Sequence, residues 1–356
     1  MALNAPEALL YEKLEGKAVQ CRLCARYCRI PEGGRGFCLV RCNDGGVLRS
    51  LSWGKAAGLQ PDPIEKKPFF HFHPGARKIL SFGTPGCNMR CRGCQNWDLS
   101  QLPRLQKNPF EAMPTLTPKQ IVAEGTREKV DGFAYTYTEP TIFFEYARDT
   151  ILEAREKMPG AFHAFVSNGY FSRECFKQIL RERLLQAIRI DLKFIDDDKY
   201  LEYTSAHLEP VQESIIRVYN ARPKIHLEVI NLVVPGWNDD DDSLRRTAEW
   251  IAGVGKDIPT HFIRFFPAYE AQDIPATREE TLLRAKKIAE DAGLEYAYAG
   301  NTLLPGVEDT KCPQCGKLLI KRAGMAVLEN VWDHASAEEK KHPSCPACGK
   351  KINIVL

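Results

Sequence analysis

The chain carries the stretch KILSFGTPGCNMRCRGC at residues 78–94. Its first half is an apolar run that ends at glycine and proline, which predicts a short buried strand over 78–83. Its second half places Cys87, Cys91 and Cys94 in one loop with C-x3-C-x2-C spacing. Four thiolates usually hold a [4Fe–4S] cluster, so three in one loop leave one iron open to a small molecule. A structural zinc loop with a distant fourth ligand is the alternative interpretation.

The sequence beyond this stretch alternates short apolar runs with amphipathic helical stretches as far as residue 300. Such alternation predicts βα units on a parallel sheet. About six units favour an α/β fold, an open or partial (β/α)6 barrel rather than a closed eightfold one. The predicted strands cover residues 78–83, 131–138, 161–167, 187–194, 224–234, 260–266 and 294–300. The predicted helices cover residues 118–129, 141–157, 173–184, 242–254 and 277–293.

Cysteine-rich segments flank this region, so the sequence predicts four parts. They are an N-terminal Cys-rich metal-binding module (1–77), the partial barrel (78–300), a linker (301–310) and a C-terminal zinc ribbon (311–356). Residues 1–16 predict a short amphipathic helix rather than a signal peptide, because no basic region precedes an apolar core.

Composition narrows the function classes. The chain has 356 residues, 13 cysteines and a net charge of +3. So small a charge does not favour a nucleic-acid or membrane partner, and no apolar run approaches the roughly 20 residues that span a bilayer. Tight cysteine spacings in a long chain with an odd cysteine count favour metal ligation and a cytoplasmic location over a secreted disulfide scaffold. A zinc-ribbon nucleic-acid-binding protein is a remote alternative, which would require a strongly basic face.

Two near-identical motifs, CPQCGK and CPACGK, place Cys312, Cys315, Cys345 and Cys348 near the C-terminus. Two C-x2-C pairs separated by a hairpin-length segment supply the four thiolates of a closed tetrahedral zinc site. With every position filled by protein, the ion would be structural.

The N-terminal group comprises Cys21, Cys24, Cys28 and Cys38, with Cys42 as a spare. It could bind a second zinc or a second iron–sulfur cluster, which would suggest an electron relay. A knuckle-like C-x2-C pair followed by a glycine-rich return loop favours zinc slightly. The spacing does not decide whether Cys38 or Cys42 is the fourth ligand.

Several motifs together resemble those of the radical S-adenosylmethionine (SAM) superfamily. They occur in the order of the glycyl-radical-enzyme activating enzymes of the pyruvate formate-lyase type: TPGCNMRCRGCQNWDLSQ (84–101), YTYTEPT (135–141), VSNGY (166–170), IDLKF (190–194) and VVPGWNDD (233–240). The whole layout is closer still to the AmmeMemoRadiSam-system radical SAM enzymes, through CRLCARYCRIPEGGRGFC (21–38), IEKKPFFHFHPG (64–75) and CPQCGK (312–317).

The resemblance implies a chemistry and its partners. SAM would bind the open iron of a [4Fe–4S] cluster through its amino and carboxylate groups. One electron, from a donor such as flavodoxin or ferredoxin, would cleave SAM to methionine and a 5′-deoxyadenosyl radical, which would abstract a hydrogen atom from the substrate. That substrate would be a small molecule or a protein, including a Memo- or AMMECR-type partner, or the glycine of a glycyl-radical enzyme.

The resemblance also assigns roles to residues. Thr138 and Glu139 would meet the SAM amino group, Asn168 the ribose, Asp191 and Lys193 the neighbourhood of the SAM carboxylate, and Val234 the adenine. Structural alternatives accompany four of these residues. Glu139 is also placed to cap a helix beginning near Thr141, Asn168 to make an ordinary turn, and Asp191 and Lys193 to form a salt bridge on one face of a strand.

The sequence departs from the family's pattern at two places. Gly93 stands where an aromatic residue usually precedes the third cysteine, so Met89 or Trp97 would have to cover the adenine. Tyr269 falls near the position of a SAM-contacting histidine in the activating enzymes, which favours a different substrate. The acidic run 239–242 predicts a helix cap, and Cys175 predicts a buried small hydrophobe.

Overall fold

The computed structural model describes residues 5–75 and 78–356. The chain divides into two units. The first comprises Met1–Asp62, Lys78–Gln186 and Tyr203–Ser214, and the second comprises Pro63–Arg77, Ala187–Glu202 and Ile215–Leu356. Within the described ranges, no helix is long and apolar enough to cross a membrane.

Short strands dominate the N-terminal segment of the first unit: β1 (Tyr11–Lys13), β2 (Val19–Cys21), β3 (Arg29–Ile30), β4 (Arg41–Asp44) and β5 (Val47–Ser50). β1 pairs with β2, β2 with β3 and β4 with β5, each antiparallel. A longer strand, β6 (Ala57–Pro63), follows. The predicted helix over residues 1–16 is wrong where the structure describes it. Tyr11–Lys13 instead pair with Val19–Cys21, and Gly16 turns the chain between them at φ +66°. The first four residues of that prediction lie outside the described residues.

Three parallel strands form the centre of the first unit: β7 (Lys78–Gly83), β8 (Gly132–Tyr135) and β9 (Phe162–Ser167). Ile79, Leu80 and Phe82 of β7 are fully buried, as expected for an apolar run in a parallel sheet covered on both faces. The helices of this unit are α1 (Trp97–Ser100), α2 (Leu102–Leu105), α3 (Pro118–Arg127), α4 (Phe144–Lys157) and α5 (Arg173–Glu182). The predicted strands and helices of this region are confirmed, although β8 ends three residues early.

A second set of parallel strands belongs to the second unit: β10 (Ala187–Asp191), β11 (His226–Val233), β12 (Thr260–Arg264) and β13 (Ala297–Gly300). Between these strands the chain forms α6 (Asp197–Thr204), α7 (Glu209–Asn220), α8 (Asp241–Val254) and α9 (Glu279–Asp291). The end of α6 and the first half of α7 fall in the Tyr203–Ser214 stretch of the first unit. Asp240 caps α8 by accepting a 2.8 Å hydrogen bond from the Ser243 N–H, as the acidic run predicts. Helices α6 and α7 are absent from the sequence predictions.

The C-terminal strands of the second unit are antiparallel: β14 (Thr310–Lys311), β15 (Leu318–Ala323) and β16 (Ala326–Asn330), followed by α10 (Ala337–Lys341). They share one apolar core with β13 and with an upstream aromatic residue. Its members include Phe70, Tyr296, Tyr298, Ile320, Trp332 and Ile352. The residues after 310 therefore fold against the rest of their unit rather than around a core of their own.

A buried ion pair anchors the N-terminal strands within the first unit. Arg41 Nη1 lies 2.9 Å from Oε1 of Glu145, a residue of α4, and both side chains are at most 5% exposed. The same carboxylate accepts hydrogen bonds from the Leu9 N–H (2.7 Å) and the Ser50 hydroxyl (3.1 Å). Arg41 Nη2 also donates a hydrogen bond of 2.6 Å to the Leu9 carbonyl. Because the buried cation and carboxylate are paired with each other, the pair fixes where the β4–β5 hairpin packs.

A buried carboxylate, Glu228 on β11, plays the corresponding part in the second unit. Its oxygens accept hydrogen bonds from the Phe70 and His71 N–H groups, and they lie 3.1 and 2.7 Å from the Nε2 atoms of His226 and His261. Burial opposes the charged form, but the hydrogen bonds from the two imidazoles outweigh it and hold the pKa of Glu228 below its usual range. His71 is itself buried between the Asn353 carbonyl and the Tyr298 hydroxyl, at 2.6 Å from each.

Breaking the Arg41–Glu145 pair should destabilise the protein strongly. The change Arg41→Met leaves the Glu145 carboxylate buried without its cation, which costs about 3–5 kcal/mol of unfolding free energy. Arg49→Met is the matched control, because Arg49 and Asp44 are 3.7 Å apart and partly exposed, and such pairs contribute at most about 1 kcal/mol. Denaturant unfolding at neutral pH measures both, and equal losses in the two variants would contradict the assignment.

Acid should unfold the second unit through His71. Burial lowers the pKa of His71 to about 3, whereas an unfolded histidine titrates at about 6.5. The unfolded chain therefore binds a proton that the folded chain refuses, and unfolding free energy falls as pH decreases from about 6.5 towards about 3. Glu228 adds to the loss below its unfolded pKa of about 4.5, because its folded pKa is lower.

The variant His71→Gln isolates this contribution. It should be less stable at neutral pH, because the hydrogen bonds to Tyr298 and Asn353 are disturbed, yet lose less stability on acidification. His342→Gln, at an exposed position, should show the pH dependence of the unmodified protein. Thermal midpoints measured across the pH range provide the test, and an unchanged slope in His71→Gln would exclude His71 as the acid-sensitive group.

Candidate functional site

The three-cysteine loop lies directly after β7 in the first unit. Gly86 has φ +100°, and a Cβ there would lie 2.5 Å from Val40 Cγ1, so a side chain is excluded at this position. The loop is held by backbone hydrogen bonds from Arg90 N to Thr204 O (2.8 Å) and from Arg92 N to Tyr203 O (3.0 Å). Position 86 therefore requires glycine for two reasons: the backbone has a positive φ there, and the loop packs closely against Val40 of the N-terminal segment.

The thiols of this loop are partly shielded. Cys87, Cys91 and Cys94 are half-buried, and the Met89 N–H lies 3.4 Å from Cys87 Sγ. Burial, followed by the charges of Cys91 and Glu139, raises the pKa of Cys87 well above its ordinary value. Among the described residues these three sulfurs do not lie within 4.8 Å of one another. This donor set fits a cluster of several irons better than one tetrahedral ion, because Zn–S bonds of about 2.3 Å place ligand sulfurs about 3.8 Å apart.

Glu139 lies in the segment after β8, immediately before the helical turn Pro140–Phe143, and is buried. Its carboxylate accepts hydrogen bonds from Thr141 N–H (3.0 Å), Ser167 Oγ (2.9 Å) and Asn168 N–H (2.7 Å), and from the Thr141 hydroxyl. The capping contact at Thr141 is therefore present. Burial raises the pKa of Glu139 despite these donors. The carboxylate connects the segment after β8 to the end of β9.

Asn168, at the end of β9, reaches the cysteine loop. Its Nδ2 donates a 2.8 Å hydrogen bond to Asn88 Oδ1 and lies 3.9 Å from Cys87 Sγ. Its Oδ1 accepts from the Tyr170 N–H at 3.0 Å, which is the turn expected of Asn-Gly. Thr138 donates to the Thr84 carbonyl at 2.8 Å. Thr138, Glu139, Asn168 and the loop are thus brought together.

Asn88 is a site residue that the sequence analysis overlooked. It is fully buried, and its Nδ2 has no hydrogen-bond partner in the part of the chain that is described. Its position inside the cysteine motif was the available signal. Buried donors are normally hydrogen-bonded. An acceptor atom of a ligand bound beside Cys87 would satisfy the Asn88 Nδ2 group.

The other predicted SAM-binding residues belong to the second unit. Asp191, the last residue of β10, forms ion pairs with Lys193 Nζ (3.0 Å) and Arg189 Nη2 (2.8 Å), so the salt bridge considered as an alternative is present. Burial opposes its charge, but Arg189 and Lys193 hold the pKa of Asp191 below its usual range. Val234 is buried and donates to Asn238 Oδ1 at 2.7 Å. Tyr269 is half-buried with φ +51°.

The remaining predictions concern Cys175 and the residues that would cover the adenine in place of the aromatic residue absent at Gly93. Gly93 and Met89 are buried, whereas Trp97 is 39% exposed on α1. Cys175 is fully buried on α5, which confirms its prediction as a small hydrophobe.

The C-terminal cysteines converge on one point. Cys312 and Cys348 Sγ are 3.6 Å apart, Cys315 and Cys345 Sγ are 3.7 Å apart, and all four sulfurs lie within 4.8 Å of one another. Two matching turns position them, since the N–H groups of Gly316 and Gly349 donate to the carbonyls of the cysteines four residues earlier, each at 2.9 Å. These separations match a tetrahedral thiolate site for a single zinc ion.

Comparison with known proteins places this geometry in a family. The family model described as the radical SAM superfamily matches residues 82–250. The chain is 41% identical to the uncharacterized protein MJ0808 of Methanocaldococcus jannaschii, over 98% of this chain and 99% of that protein. The chain belongs to the radical SAM superfamily. Its members are enzymes that use SAM, and membership implies a [4Fe–4S] cluster.

Two more distant similarities accompany this assignment. Pyruvate formate-lyase 1-activating enzyme of Escherichia coli is 25% identical over 63% of this chain and 93% of that enzyme. The crystal structure of a radical SAM methyltransferase from Sphaerobacter thermophilus shares 15% identity and a TM-score of 0.47, covering 69% of this chain and 71% of that chain. The first similarity relates the chain to the glycyl-radical activating enzymes.

Removing the carboxylate of Glu139 should lower the stability of the folded protein. Glu139→Gln replaces one acceptor by an amide N–H₂ that faces donors, which costs about 1–3 kcal/mol where the group is buried. Thermal denaturation of the metal-free protein measures the loss. Glu156→Gln, exposed on α4, is the control and should leave the midpoint unchanged. A midpoint for Glu139→Gln equal to that of this control would show that the network contributes nothing.

Proposed function

We propose that the protein reductively cleaves SAM and uses the resulting 5′-deoxyadenosyl radical to abstract hydrogen from a substrate. The observation that carries the proposal is the loop of Cys87, Cys91 and Cys94, joined to Asn168 at the end of β9. The bound [4Fe–4S] cluster would supply the open iron and the electron for SAM cleavage. The residues of the chain position SAM and exclude water around it.

Roles for individual residues follow from their surroundings. Cys87, Cys91 and Cys94 would hold the cluster. Glu139, already saturated by donors within the chain, would keep the segment after β8 and the end of β9 in place, so its contact with the SAM amino group would be through the backbone of the Thr138–Glu139 segment. Asn168 would face the ribose beside the loop.

The resemblance assigns the remaining contacts with SAM to Lys193, Val234 and Tyr269. Lys193 would face the SAM carboxylate, a favourable pairing of charges, while Asp191 holds the lysine in place through their ion pair. Val234 and Tyr269 would line the adenine and substrate sides.

For the substrate, we propose a reaction of the AmmeMemoRadiSam type on a protein or small molecule, with a Memo- or AMMECR-type protein as partner. The electron would come from a flavodoxin or ferredoxin in the cytoplasm. The alternative is activation of a glycyl-radical enzyme, which the similarity to pyruvate formate-lyase 1-activating enzyme favours. Tyr269 in place of a histidine favours the first reaction.

The C-terminal cysteines would bind a structural zinc ion and complete a zinc ribbon beside the partial (β/α)6 barrel. Their 3.6 and 3.7 Å sulfur separations support this role. With four protein thiolates, the ion would have no open position for catalysis.

Anaerobic reconstitution with iron and sulfide tests the enzymatic proposal. After reduction by dithionite, the protein should convert SAM to 5′-deoxyadenosine, and SAM should alter the EPR spectrum of the reduced cluster. Cys91→Ala should lower 5′-deoxyadenosine to the enzyme-free level, because the cluster loses a ligand. Cys175→Ala, a buried cysteine outside the site, should retain activity.

The outcomes separate the two reactions. A glycyl-radical EPR doublet after incubation with pyruvate formate-lyase would favour the activating-enzyme alternative. Absence of 5′-deoxyadenosine from protein that contains its cluster would refute the enzymatic proposal.

A further inference from the structure

Four N-terminal cysteines surround one cavity in the first unit. Its lining includes Cys21, Cys24, Cys28 and Cys38, together with Arg26 and Asn88. Three of the cysteines are buried and Cys28 is half-buried, and all four are free thiols. Four convergent thiols in a shielded cavity are a thiophilic metal site by donor type.

The cavity lining also indicates which cysteine is the fourth member of this group. Cys38 lines the cavity together with Cys21, Cys24 and Cys28. Cys42 is absent from the cavity lining and lies on β4, opposite Arg49 of β5. The structure thus favours Cys38 over Cys42 as the fourth member.

The separation of the sulfurs distinguishes this group from the C-terminal one. The C-terminal sulfurs all lie within 4.8 Å of one another, whereas no three of the N-terminal sulfurs do so within the described residues. A tetrahedral zinc ion needs ligand sulfurs about 3.8 Å apart. A cube of four irons and four sulfides is wider than one ion, so its ligand sulfurs stand farther apart. The three-cysteine loop at 87–94 shows the same wide arrangement.

Positive charge accumulates beside these thiols. The guanidinium groups of Arg26, Arg90 and Arg104 lie 3.9, 4.8 and 5.0 Å from the centre of the Phe37 ring. None of the three has a carboxylate ion-pair partner among the residues described, and Arg104 Nε and Nη1 are buried without a hydrogen-bond partner there. A metal centre with four thiolates is anionic, and it would offset the positive charge of these three side chains.

Arg104 and Arg26 contact the segments that carry the two groups of cysteines. Arg104 Nη2 donates a hydrogen bond to the carbonyl of Phe37, the residue before Cys38. Arg26, between Cys24 and Cys28 in the chain, donates a 3.0 Å hydrogen bond to the carbonyl of Asn88, the residue after Cys87. The N-terminal cysteines therefore adjoin the three-cysteine loop.

We propose that Cys21, Cys24, Cys28 and Cys38 hold a second iron–sulfur cluster, of the [4Fe–4S] type and ligated entirely by protein. With four protein ligands it has no open iron, so SAM binds only at the cluster of the 87–94 loop. Its place beside that loop, to which Arg26 connects through the Asn88 carbonyl, suits transfer of an electron to the SAM-binding cluster. This inference does not depend on which substrate receives the radical.

Metal analysis of a triple variant provides the test. Cys87→Ala/Cys91→Ala/Cys94→Ala removes the SAM-binding cluster and leaves the N-terminal cysteines intact. After anaerobic reconstitution with iron and sulfide, the full-length variant should retain about four irons and four sulfides per chain. It should also contain about one zinc, from the C-terminal site. Its visible absorption and its EPR spectrum after reduction should be those of a [4Fe–4S] cluster that does not respond to SAM.

Single changes added to the triple variant identify the ligands. Cys24→Ser or Cys38→Ser should abolish the remaining iron, whereas Cys42→Ser and Cys175→Ser should leave it unchanged. Circular dichroism checks that each variant is folded. If a Cys24 variant fails to fold, the Cys38 and Cys42 pair still decides the question.

Three results would overturn the proposal. About two zinc ions and no iron in the triple variant would assign the site to zinc. No iron, one zinc and a disulfide found by mass spectrometry would assign the cysteines to a covalent bridge. Loss of iron in Cys42→Ser but not in Cys38→Ser would refute the proposed ligand set. Because the triple variant cannot cleave SAM, failure here is separable from failure of the enzymatic proposal, which is measured on the unmodified protein.

Discussion

A single buried carboxylate, that of Glu139, is the interaction on which the candidate site depends. Its oxygens collect N–H and hydroxyl donors from the start of the next helical turn and from the end of β9. A carboxylate buried among apolar side chains is stable only when its lone pairs are satisfied. Here they are satisfied by groups from the helical turn after β8 and from the end of β9, so these two segments cannot move independently. Asn168, held in this way, then reaches the cysteine loop.

The second unit uses the same device with a different set of donors. Glu228 accepts from two imidazoles and two backbone N–H groups, which attaches the segment around Phe70 and His71 to β11. In both units a fully satisfied buried charge determines where an otherwise irregular segment packs. Such networks specify position more than they add stability, because much of the Coulomb attraction is offset by desolvation.

The three groups of cysteines differ in the distances between their sulfur atoms. The C-terminal thiols stand at the separation of one tetrahedral ion, whereas the N-terminal and central groups are wider. All three groups use similar C-x2-C or C-x3-C spacings, so the spacing along the chain cannot distinguish them. The surrounding backbone distinguishes the groups. Two matching turns at Gly316 and Gly349 bring the C-terminal thiols close together, whereas the N-terminal thiols come from short strands and loops around a cavity.

Local patterns predicted much of the fold. The strands of the parallel sheet and the helices that follow them are close to their predicted positions, because a long apolar or amphipathic run is buried wherever it occurs. Helix α7 was overlooked although Val211, Ile215 and Val218 have helical spacing and are fully buried. The predicted N-terminal helix failed because Tyr11–Lys13 pair with Val19–Cys21, a tertiary contact that overrides helix propensity. The predicted domain boundaries at 77, 300 and 310 stay predictions.

The sequence by itself determined the class of chemistry, because cysteine spacing, strand context and motif order are properties of the chain. It also identified Glu139, Asn168, Asp191 and Lys193 as residues of interest. Only the tertiary structure decided what those side chains touch: Glu139 is saturated by donors, Asn168 meets Asn88, and Asp191 is shared by two cations. The physical reason is that a hydrogen bond or an ion pair depends on separations of about 3 Å between groups far apart in sequence.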